Sequence, residues 1–325
     1  MEILILHPGG LGDIILSLPA ISLIRARHPS ARITIAGNLD HLAAIASNYA
    51  DKAISLATLP VHRLYSQELI SEEDVRFWTS FDWILSWTGS GDPGFLSNFN
   101  RIHPNVLIGS WRPMPGETRH VSRLFLDSLN LEIPPGIELI PAHIKLDSGL
   151  TDEGVQWLAS HGCNRTEPLI ALHPGAGSGV KRWPLDRFVN LALHLAVQEK
   201  LRLLVIGGPA EVGLGEEITR ALPEAAVVQA ACSPLSLIAS LLAQCRGFVG
   251  NDSGIAHLAA SIGVPSVVLF GPTLPQHWAP LGRHVTVLRK ARGCGGCNSG
   301  SSEHTCLSNL TVEEVIENLI LKLWG

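Results

Sequence analysis

Short apolar runs of strand length alternate along the chain with longer stretches in which apolar residues recur at helical spacing. In the first half, these runs predict strands at Ile3–His7, Arg32–Ala36, Lys52–Leu56, Asp82–Trp87 and Asn105–Ile108. In the second half, they predict strands at Leu169–His173, Leu201–Ile206, Ala226–Gln229, Gly247–Val249, Ser266–Phe270 and His284–Leu288. Strands that alternate with helices are typical of a parallel sheet covered on both faces. The pattern therefore predicts two α/β domains, each built on an open parallel sheet.

The opening of the chain is repeated near its middle. Ile3–Gly10 combines an apolar strand with His-Pro-Gly and a further glycine, and Ile170–Gly177 has the same order. Each half therefore begins with the same kind of strand-to-helix turn.

The linker between the halves is predicted from the break in this alternation. A helix from Thr151 to about His161 leads into Asn164–Pro168, where we place the hinge. Near the end, Thr311 and Glu314 have the spacing of a capping box ahead of a helical apolar pattern. The predicted parts are a first domain over 1–165, a second domain over 166–310 and a closing helix over 311–325.

The composition excludes some classes of function. Apolar residues make up 46% of the 325 residues, and the formal net charge is −5. Nucleic-acid-binding domains usually carry a strongly basic face, so we expect no nucleic-acid partner. The apolar runs fall well short of the roughly 20 residues of a membrane span, and Met1–Leu6 carries an acid where a signal peptide is basic. We expect a cytoplasmic protein, with peripheral contact at the inner membrane left open.

A polar turn follows one of the predicted strands and leads into a helix. Within Gly250–Ala260, the first helical turn carries Asp252, Ser253 and Gly254, and His257 follows about one turn later. The unpaired N–H groups and the dipole of a helix start favour an anion. The segment therefore predicts a phosphate site. The alternative is an ordinary capped helix with a half-buried histidine.

Two other strand ends of the second half carry residues suited to a nucleotide. Gly175 and Gly177 provide backbone that can approach an anion, and Lys181 adds positive charge, although the segment is not a Walker loop. Glu211 follows the next strand, where an acid can accept hydrogen bonds from ribose hydroxyls. These strand ends together predict a nucleotide site. Taken singly, Lys181 and Glu211 can also be solvated surface residues.

The first half favours a different chemistry. Gly9–Asp13 departs from the dinucleotide fingerprint, because Ile15 stands where the third glycine belongs and Asp13 would repel a pyrophosphate. This disfavours an NAD oxidoreductase. An ionised aspartate at a helix start is suited to removing a hydroxyl proton as a general base. The alternative is that Asp13 only caps the helix.

The basic residues of the first half form one cluster. Arg112, Arg119 and Arg123 lie near His120 and are candidates for binding an anionic acceptor. A solvated helix face is the alternative. The loop Thr88–Gly94 also follows a predicted strand and is a candidate for lining an acceptor pocket.

A cysteine-rich loop near the end offers a metal site. Cys294, Cys297, His304 and Cys306 are the ligand types of a zinc knuckle, although the second pair has an unusual spacing. A thiol-rich loop or a redox-dependent disulfide is the alternative. We expect no cofactor elsewhere in the chain.

In combination, these motifs resemble family 9 glycosyltransferases, the bacterial ADP-heptose:lipopolysaccharide heptosyltransferases. The resemblance spans nearly the whole chain. It is carried by Gly-x-Gly-Asp13 with the helix Ile14–Leu18 and Pro19, by Lys181-x-Trp183-Pro184, and by Asp252-Ser253-Gly254-x-x-His257. It implies a GT-B fold of two Rossmann-like domains whose parallel sheets face a central cleft. The first domain would bind the acceptor and the second the sugar nucleotide.

The resemblance also implies inverting, metal-independent transfer from ADP-heptose to a hydroxyl of the lipopolysaccharide core or a related glycan. Asp13 would be the catalytic base, Lys181 the diphosphate contact and Glu211 the ribose contact. The ADP moiety would be held by Asp252, Ser253, Gly254 and His257. The loop after the strand that ends near Trp87 lacks the basic residue usual in lipopolysaccharide-acting members, so the acceptor stays open.

Two further functions remain compatible with these residues. A GT-B-like sugar-nucleotide epimerase would keep both domains and the nucleotide site but would use no separate acceptor. A non-catalytic sugar-nucleotide-binding protein would have no use for a base at Asp13.

Overall fold

The computed structural model describes residues 1–66, 70–131, 141–164, 167–208, 211–290 and 306–324. The chain divides into two compact units, Met1–Ala142 and His143–Gly325. Each unit is an α/β domain with a parallel sheet, which confirms the predicted class. The eleven predicted strands all form, and their ends differ from the predicted ends by at most two residues.

The described part of the first unit contains one five-stranded sheet. Its strands are β1 (Glu2–Leu6), β2 (Arg32–Gly37), β3 (Lys52–Ser55), β4 (Trp83–Ser86) and β5 (Val106–Ile108). They lie in the order β3-β2-β1-β4-β5, and Ile3 on β1 is opposite both Ile33 and Trp83. The order reverses direction between β1 and β4. This reversal is the switch point at which open α/β sheets bind ligands.

The helices of the first unit cover this sheet. They are α1 (Leu11–Arg27), α2 (Leu39–Ala43), α3 (Ala46–Tyr49), α4 (Glu72–Trp78), α5 (Pro93–Ile102) and α6 (Val121–Asp127), with 3-10 turns at Leu56–Thr58 and Pro60–Tyr65. The side chains of β1 from Ile3 to Leu6 are completely buried. A strand buried on both faces needs a continuous apolar run, which explains why Ile3–Leu6 does not alternate with polar residues.

The second unit repeats this plan with a six-stranded sheet in its described residues. The strands are β6 (Leu169–His173), β7 (Arg202–Gly207), β8 (Val227–Ala231), β9 (Gly247–Asn251), β10 (Ser266–Leu269) and β11 (Val285–Leu288). Their order is β11-β10-β9-β6-β7-β8, so the switch point lies between β6 and β9. Counted within each unit, both sheets follow the Rossmann order.

The helices of the second unit are α7 (Ser148–Ser160), α8 (Leu185–Val197), α9 (Val212–Arg220), α10 (Leu235–Leu242), α11 (Gly254–Ile262), α12 (Pro275–Trp278) and α13 (Val312–Trp324), with 3-10 turns at Gly179–Lys181 and Glu224–Ala226. Among the described residues, no helix of either unit has the length and apolarity needed to cross a bilayer.

The predicted capping box at the start of α13 forms. Glu314 Oε2 accepts a hydrogen bond from the N–H of Thr311 at 3.0 Å, and Thr311 Oγ1 accepts one from the N–H of Glu314 at 3.3 Å. The helix then packs under β9, where a Cβ on Gly247 would lie 3.0 Å from Leu323 and 3.2 Å from Leu319. The last described helix is therefore part of the core of the second unit.

The position of α7 sets the boundary between the units. The sequence places the boundary after residue 165, whereas the structure groups residues 143–164 with the second unit. The reason is a close contact between α7 and α10. Ser240 Oγ accepts a hydrogen bond from the N–H of Gly154 at 2.9 Å and donates one to the carbonyl of Leu150.

Gly154→Ala should destabilise the second unit. The added Cβ would collide with Ser240 Oγ and lie 2.8 Å from the Ser240 carbonyl oxygen. Overpacking of this kind typically lowers the free energy of unfolding by roughly 1–3 kcal/mol. Gly213→Ala on α9 is the matched control, because its Cβ would meet nothing within 4 Å. There the better helix propensity of alanine should raise stability by up to about 1 kcal/mol. Urea unfolding measures the free energy of unfolding of both variants. Equal changes for Gly154→Ala and Gly213→Ala would contradict this packing of α7.

Candidate functional site

The switch point of the second unit brings two of the predicted segments together. The loop after β6 carries Gly175 and Gly177, and the loop after the adjacent β9 carries Asp252 and Ser253. Asn251, at the end of β9, joins them. Its Nδ2 donates to the carbonyl of Pro174 at 2.8 Å, and its Oδ1 accepts from the N–H of Trp183 at 2.9 Å. The sequence analysis did not single out this buried residue, although it directly precedes the predicted motif.

The start of α11 lies where the sequence predicts a helix start, and it is capped as the alternative interpretation expects. Ser253 is the N-cap, and its Oγ accepts a hydrogen bond from the N–H of Ala256 at 3.4 Å. The remaining N–H groups of a first turn have no acceptor within their helix, and the helix dipole adds partial positive charge. Gly254 is the first helical residue and carries no side chain to block this end.

Lys181 and Asp252 meet at the same place. Lys181 Nζ lies 2.9 Å from Asp252 Oδ2, and the lysine is half-buried while the aspartate is almost fully buried. The ammonium is thereby held beside the start of α11. The Asp252 carboxylate alone would repel a phosphate, and the ion pair with Lys181 offsets its charge.

Glu211 also reaches the loop after β6. Its Oε2 accepts a hydrogen bond from the N–H of Gly208 at 3.1 Å, and its Oε1 lies 3.7 Å from Arg182 Nη2. A Cβ on Gly175 would lie 2.7 Å from Glu211 Cγ, so only glycine fits at this position beside Glu211. At Gly177 a Cβ would meet nothing within 4 Å, which leaves that backbone accessible.

Two histidines lie beneath this surface. His173 is buried at the end of β6, and its Nδ1 lies 3.2 Å from Ser253 Oγ. Burial, together with the nearby positive charge of Arg182, lowers the pKa of His173 to about 4, so the ring is neutral at pH 7. His257 is on the first turn of α11 but is only 5% exposed, so little of its side chain reaches the surface.

Asp13 occupies the corresponding strand end in the first unit. It is the third residue of α1, and its Oδ2 accepts a hydrogen bond from the N–H of Gly10, the N-cap residue, at 2.9 Å. The carboxylate is half-buried. The capping interpretation is therefore correct for this contact, and it leaves the side chain partly accessible to a substrate.

Two cavities flank the loop between β1 and α1. One has a volume of about 310 Å³ and the other about 450 Å³, and Pro8 lines both. The smaller cavity is lined further by Trp87, Thr88, Gly89, Ser90, Gly91, Ser110, Trp111 and Arg112. The larger is lined further by His7, Gly9, Gly37, Asn38, Leu39, Asp40, Ser55, Leu56 and Ala57. The predicted role of the loop after β4 in an acceptor pocket fits the smaller cavity.

The three candidate arginines have different surroundings. Arg112 is exposed at the smaller cavity, with its guanidinium carbon 4.8 Å from the centre of the Trp111 ring. Arg119 forms ion pairs with Glu117 at 2.6 Å and Asp127 at 2.8 Å, and Arg123 also pairs with Asp127 at 2.8 Å. The Arg119 guanidinium lowers the pKa of Glu117 to about 2.

These ion pairs already neutralise Arg119 and Arg123. Of the three arginines, Arg112 is the best placed to meet an anionic substrate group.

The zinc hypothesis concerns a loop that lies outside the described residues, except for Cys306, which is fully buried.

Comparison with known proteins identifies relatives in sequence. A family model described as glycosyltransferase family 9 (heptosyltransferase) matches residues 142–307, just over half of the chain. Lipooligosaccharide heptosyltransferase 2 of Haemophilus influenzae is 34% identical over 161 residues, which cover 47% of this chain and 46% of the relative. The match thus spans about half the length of this curated relative.

Solved structures match nearly the whole chain. A family 9 glycosyl transferase from Veillonella parvula has a TM-score of 0.81 at 21% identity, covering 99% of this chain and 97% of that chain. The ADP-heptose lipopolysaccharide heptosyltransferase II of Escherichia coli has a TM-score of 0.74 at 22% identity, covering 99% and 98%. At these identities the likeness establishes the fold, and it confirms the predicted GT-B class.

The neutral state of His173 predicts a loss of stability in acid. Its pKa is 6.5 when unperturbed and about 4 in the folded protein. The contribution of the neutral His173 ring to the free energy of unfolding is therefore complete above pH 6.5 and is lost as the pH falls toward 4. Each pH unit in this window costs about 1.4 kcal/mol. The difference in unfolding free energy between the wild type and His173→Gln, measured by urea unfolding at pH 7, 6 and 5, should shrink by about half that amount between pH 7 and 6 and by nearly the full amount between pH 6 and 5. A constant difference would contradict the prediction.

Proposed function

Since the chain belongs to glycosyltransferase family 9, we propose that it is an inverting glycosyltransferase that moves heptose from ADP-heptose to a hydroxyl of a lipopolysaccharide-core or related glycan. The observation that carries the proposal is the cluster at the switch point of the second unit. There, Lys181, the start of α11 and Glu211 surround one glycine loop. This combination suits a nucleoside diphosphate, with a ribose on one side and phosphates on the other.

The donor site has a direct role in bond cleavage. As the bond between the anomeric carbon and the diphosphate breaks, negative charge grows on the departing phosphate. Lys181 and the N–H groups at the start of α11 are in place to stabilise that charge. Because these groups supply positive charge at the leaving group, we propose that the transfer does not depend on a divalent metal ion.

Acceptor activation is assigned to Asp13. In a single displacement, the acceptor oxygen bonds to the anomeric carbon from the face opposite the diphosphate, and configuration is inverted. The hydroxyl proton passes to the Asp13 carboxylate, whose Oδ2 is already oriented by the N–H of Gly10. One base and a stabilised leaving group are sufficient for this reaction.

The acceptor is expected at the cavities beside the β1–α1 loop. Arg112 gives the smaller cavity an exposed cation. The hydroxyl and backbone groups that line the same cavity suit a glycan. This fits a glycan that carries few charges better than a polyanion. A location in the cytoplasm, in contact with the inner membrane when the glycan is anchored there, is part of the same proposal.

Asp13→Asn should abolish most of the transfer. Removal of a general base typically lowers kcat by about 10²–10⁴-fold, while the affinity for ADP should stay within about twofold because ADP binds the other unit. Asp152→Asn, an exposed residue on α7, is the matched control and should retain wild-type turnover.

The measurements are transfer to lipopolysaccharide fragments and ADP binding by calorimetry. Undiminished turnover of Asp13→Asn would remove the base assignment. A reaction mixture containing donor alone tests for an epimerase, and formation of an epimer without acceptor would overturn glycosyl transfer as the main activity.

Lys181→Gln should weaken binding of ADP by about 10–100-fold, since a charge-assisted hydrogen bond contributes roughly 1.5–3 kcal/mol. The variant also leaves the Asp252 carboxylate unpaired beside the phosphates. The double variant Lys181→Gln/Asp252→Asn should therefore recover part of the lost affinity. Lys200→Gln, which changes an exposed lysine, is the control.

Removal of metal ions from the wild-type protein tests whether the transfer depends on them. After dialysis against EDTA, the wild type should keep its turnover within about twofold, because Lys181 and the helix start supply the positive charge. A larger loss that is restored by a divalent cation would contradict metal-independent transfer.

A further inference from the structure

His7 is a buried polar residue next to the proposed base. It directly follows β1 and has no exposed surface. Its ring is enclosed by Trp87, Trp111 and Phe125, whose ring centres are 5.3, 6.3 and 5.6 Å away. A histidine in an aromatic cluster loses its hydration, so this position is costly unless the ring has a specific polar contact.

That contact is with the loop leading to Asp13. His7 Nδ1 accepts a hydrogen bond from the N–H of Gly9 at 3.1 Å. The accepting nitrogen carries no proton, so the ring is neutral with its proton on Nε2. Burial lowers the pKa of His7 to about 3, and the ring therefore keeps this role over the whole physiological pH range.

Gly9 lies directly between His7 and Asp13. A Cβ on Gly9 would lie 2.5 Å from Asp13 Cβ, 2.9 Å from Asp13 Oδ2 and 2.8 Å from His7 Cε1. The next residue, Gly10, donates its N–H to Asp13 Oδ2 at 2.9 Å. Two consecutive backbone N–H groups are thus fixed, the first by the imidazole and the second by the carboxylate.

We propose that His7 is a positioning residue that holds the Gly9–Gly10 turn and, through it, the orientation of the Asp13 carboxylate. The proposal rests on the proposed function, because it assigns His7 a task in the reaction only if Asp13 is the base. In this scheme His7 takes no part in bond making or proton transfer and acts only through the turn.

The second unit contains a related arrangement, although its histidine faces Ser253 Oγ and its carboxylate follows the neighbouring strand β7. His173 ends the central strand of its sheet, and a Cβ on Gly175 would lie 3.0 Å from His173 Nε2 and 2.7 Å from Glu211 Cγ. A buried histidine, a glycine and a carboxylate are therefore stacked at both copies of the repeated His-Pro-Gly turn. In both copies the carboxylate is one that the proposed reaction uses.

A purely structural role for His7 makes a different prediction from a positioning role. His7→Phe keeps an aromatic ring among its neighbours and removes the acceptor for the Gly9 N–H. His7→Asn loses the ring, but an asparagine side chain readily accepts a hydrogen bond from the backbone N–H two residues later. The two variants therefore separate packing from orientation of the turn.

With the full chain, His7→Phe should lower kcat by about 10–100-fold, as expected when a catalytic group is misplaced by a fraction of an ångström to 1 Å. Its KM for the donor and its affinity for ADP should stay within about twofold. His7→Asn should be less stable in thermal unfolding, yet its kcat should exceed that of His7→Phe. If His7→Asn is the slower variant, or if His7→Phe turns over like the wild type, the positioning role is wrong.

A double-variant cycle separates this proposal from the function on which it rests. If His7 acts through Asp13, His7→Phe should reduce the residual turnover of Asp13→Asn by less than about twofold, because residues that act as one unit are not additive. Full additivity would overturn the positioning role and leave the base assignment intact. Wild-type turnover of Asp13→Asn would instead overturn the proposed function.

Discussion

The close approach of a glycine to a carboxylate, at the end of the central strand of each sheet, is the constraint on which both candidate sites depend. At Gly9 and at Gly175, a side chain of any size would displace Asp13 or Glu211. The strands that lead to these glycines are buried on both faces, so the loops cannot shift without disturbing a core. The Rossmann strand order then places a second functional loop beside each glycine, after β4 or β9.

The elements and the site positions could be predicted from the sequence because their causes are local. A parallel strand that is buried on both faces needs a mainly apolar run, and such runs marked the central strands β1, β6 and β9. The half-buried edge strands β3, β5 and β11 have weaker patterns and were still placed within two residues. The polar residues directly after those runs were identified for the same reason. Lys181 and Asp252, 71 positions apart, were each selected as strand-end residues, and their ion pair is a consequence of β6 lying next to β9.

What the sequence did not predict depends on partners that are distant or inconspicuous. Arg119 and Arg123 were grouped as a basic cluster, and the acids that pair with them, Glu117 and Asp127, were overlooked although they lie only two and four residues away. Asn251 looked like part of a polar turn, and only the strand pairing explains its hydrogen bonds to Pro174 and Trp183, at the two ends of the β6–α8 connection. The assignment of α7 depends on its contact with Ser240, about 90 residues later, which no periodic pattern encodes.

The packing of α13 has a consequence for biosynthesis. The indole of Trp183, in the connection between β6 and α8, donates a hydrogen bond to the carbonyl of Leu310 at 3.0 Å, and Gly247 of β9 packs against Leu319 and Leu323. The first unit has all of its residues by Ala142, and domains generally fold as units during translation. On the ribosome, the nascent second unit must expose the underside of β9 until residues 310–323 have emerged.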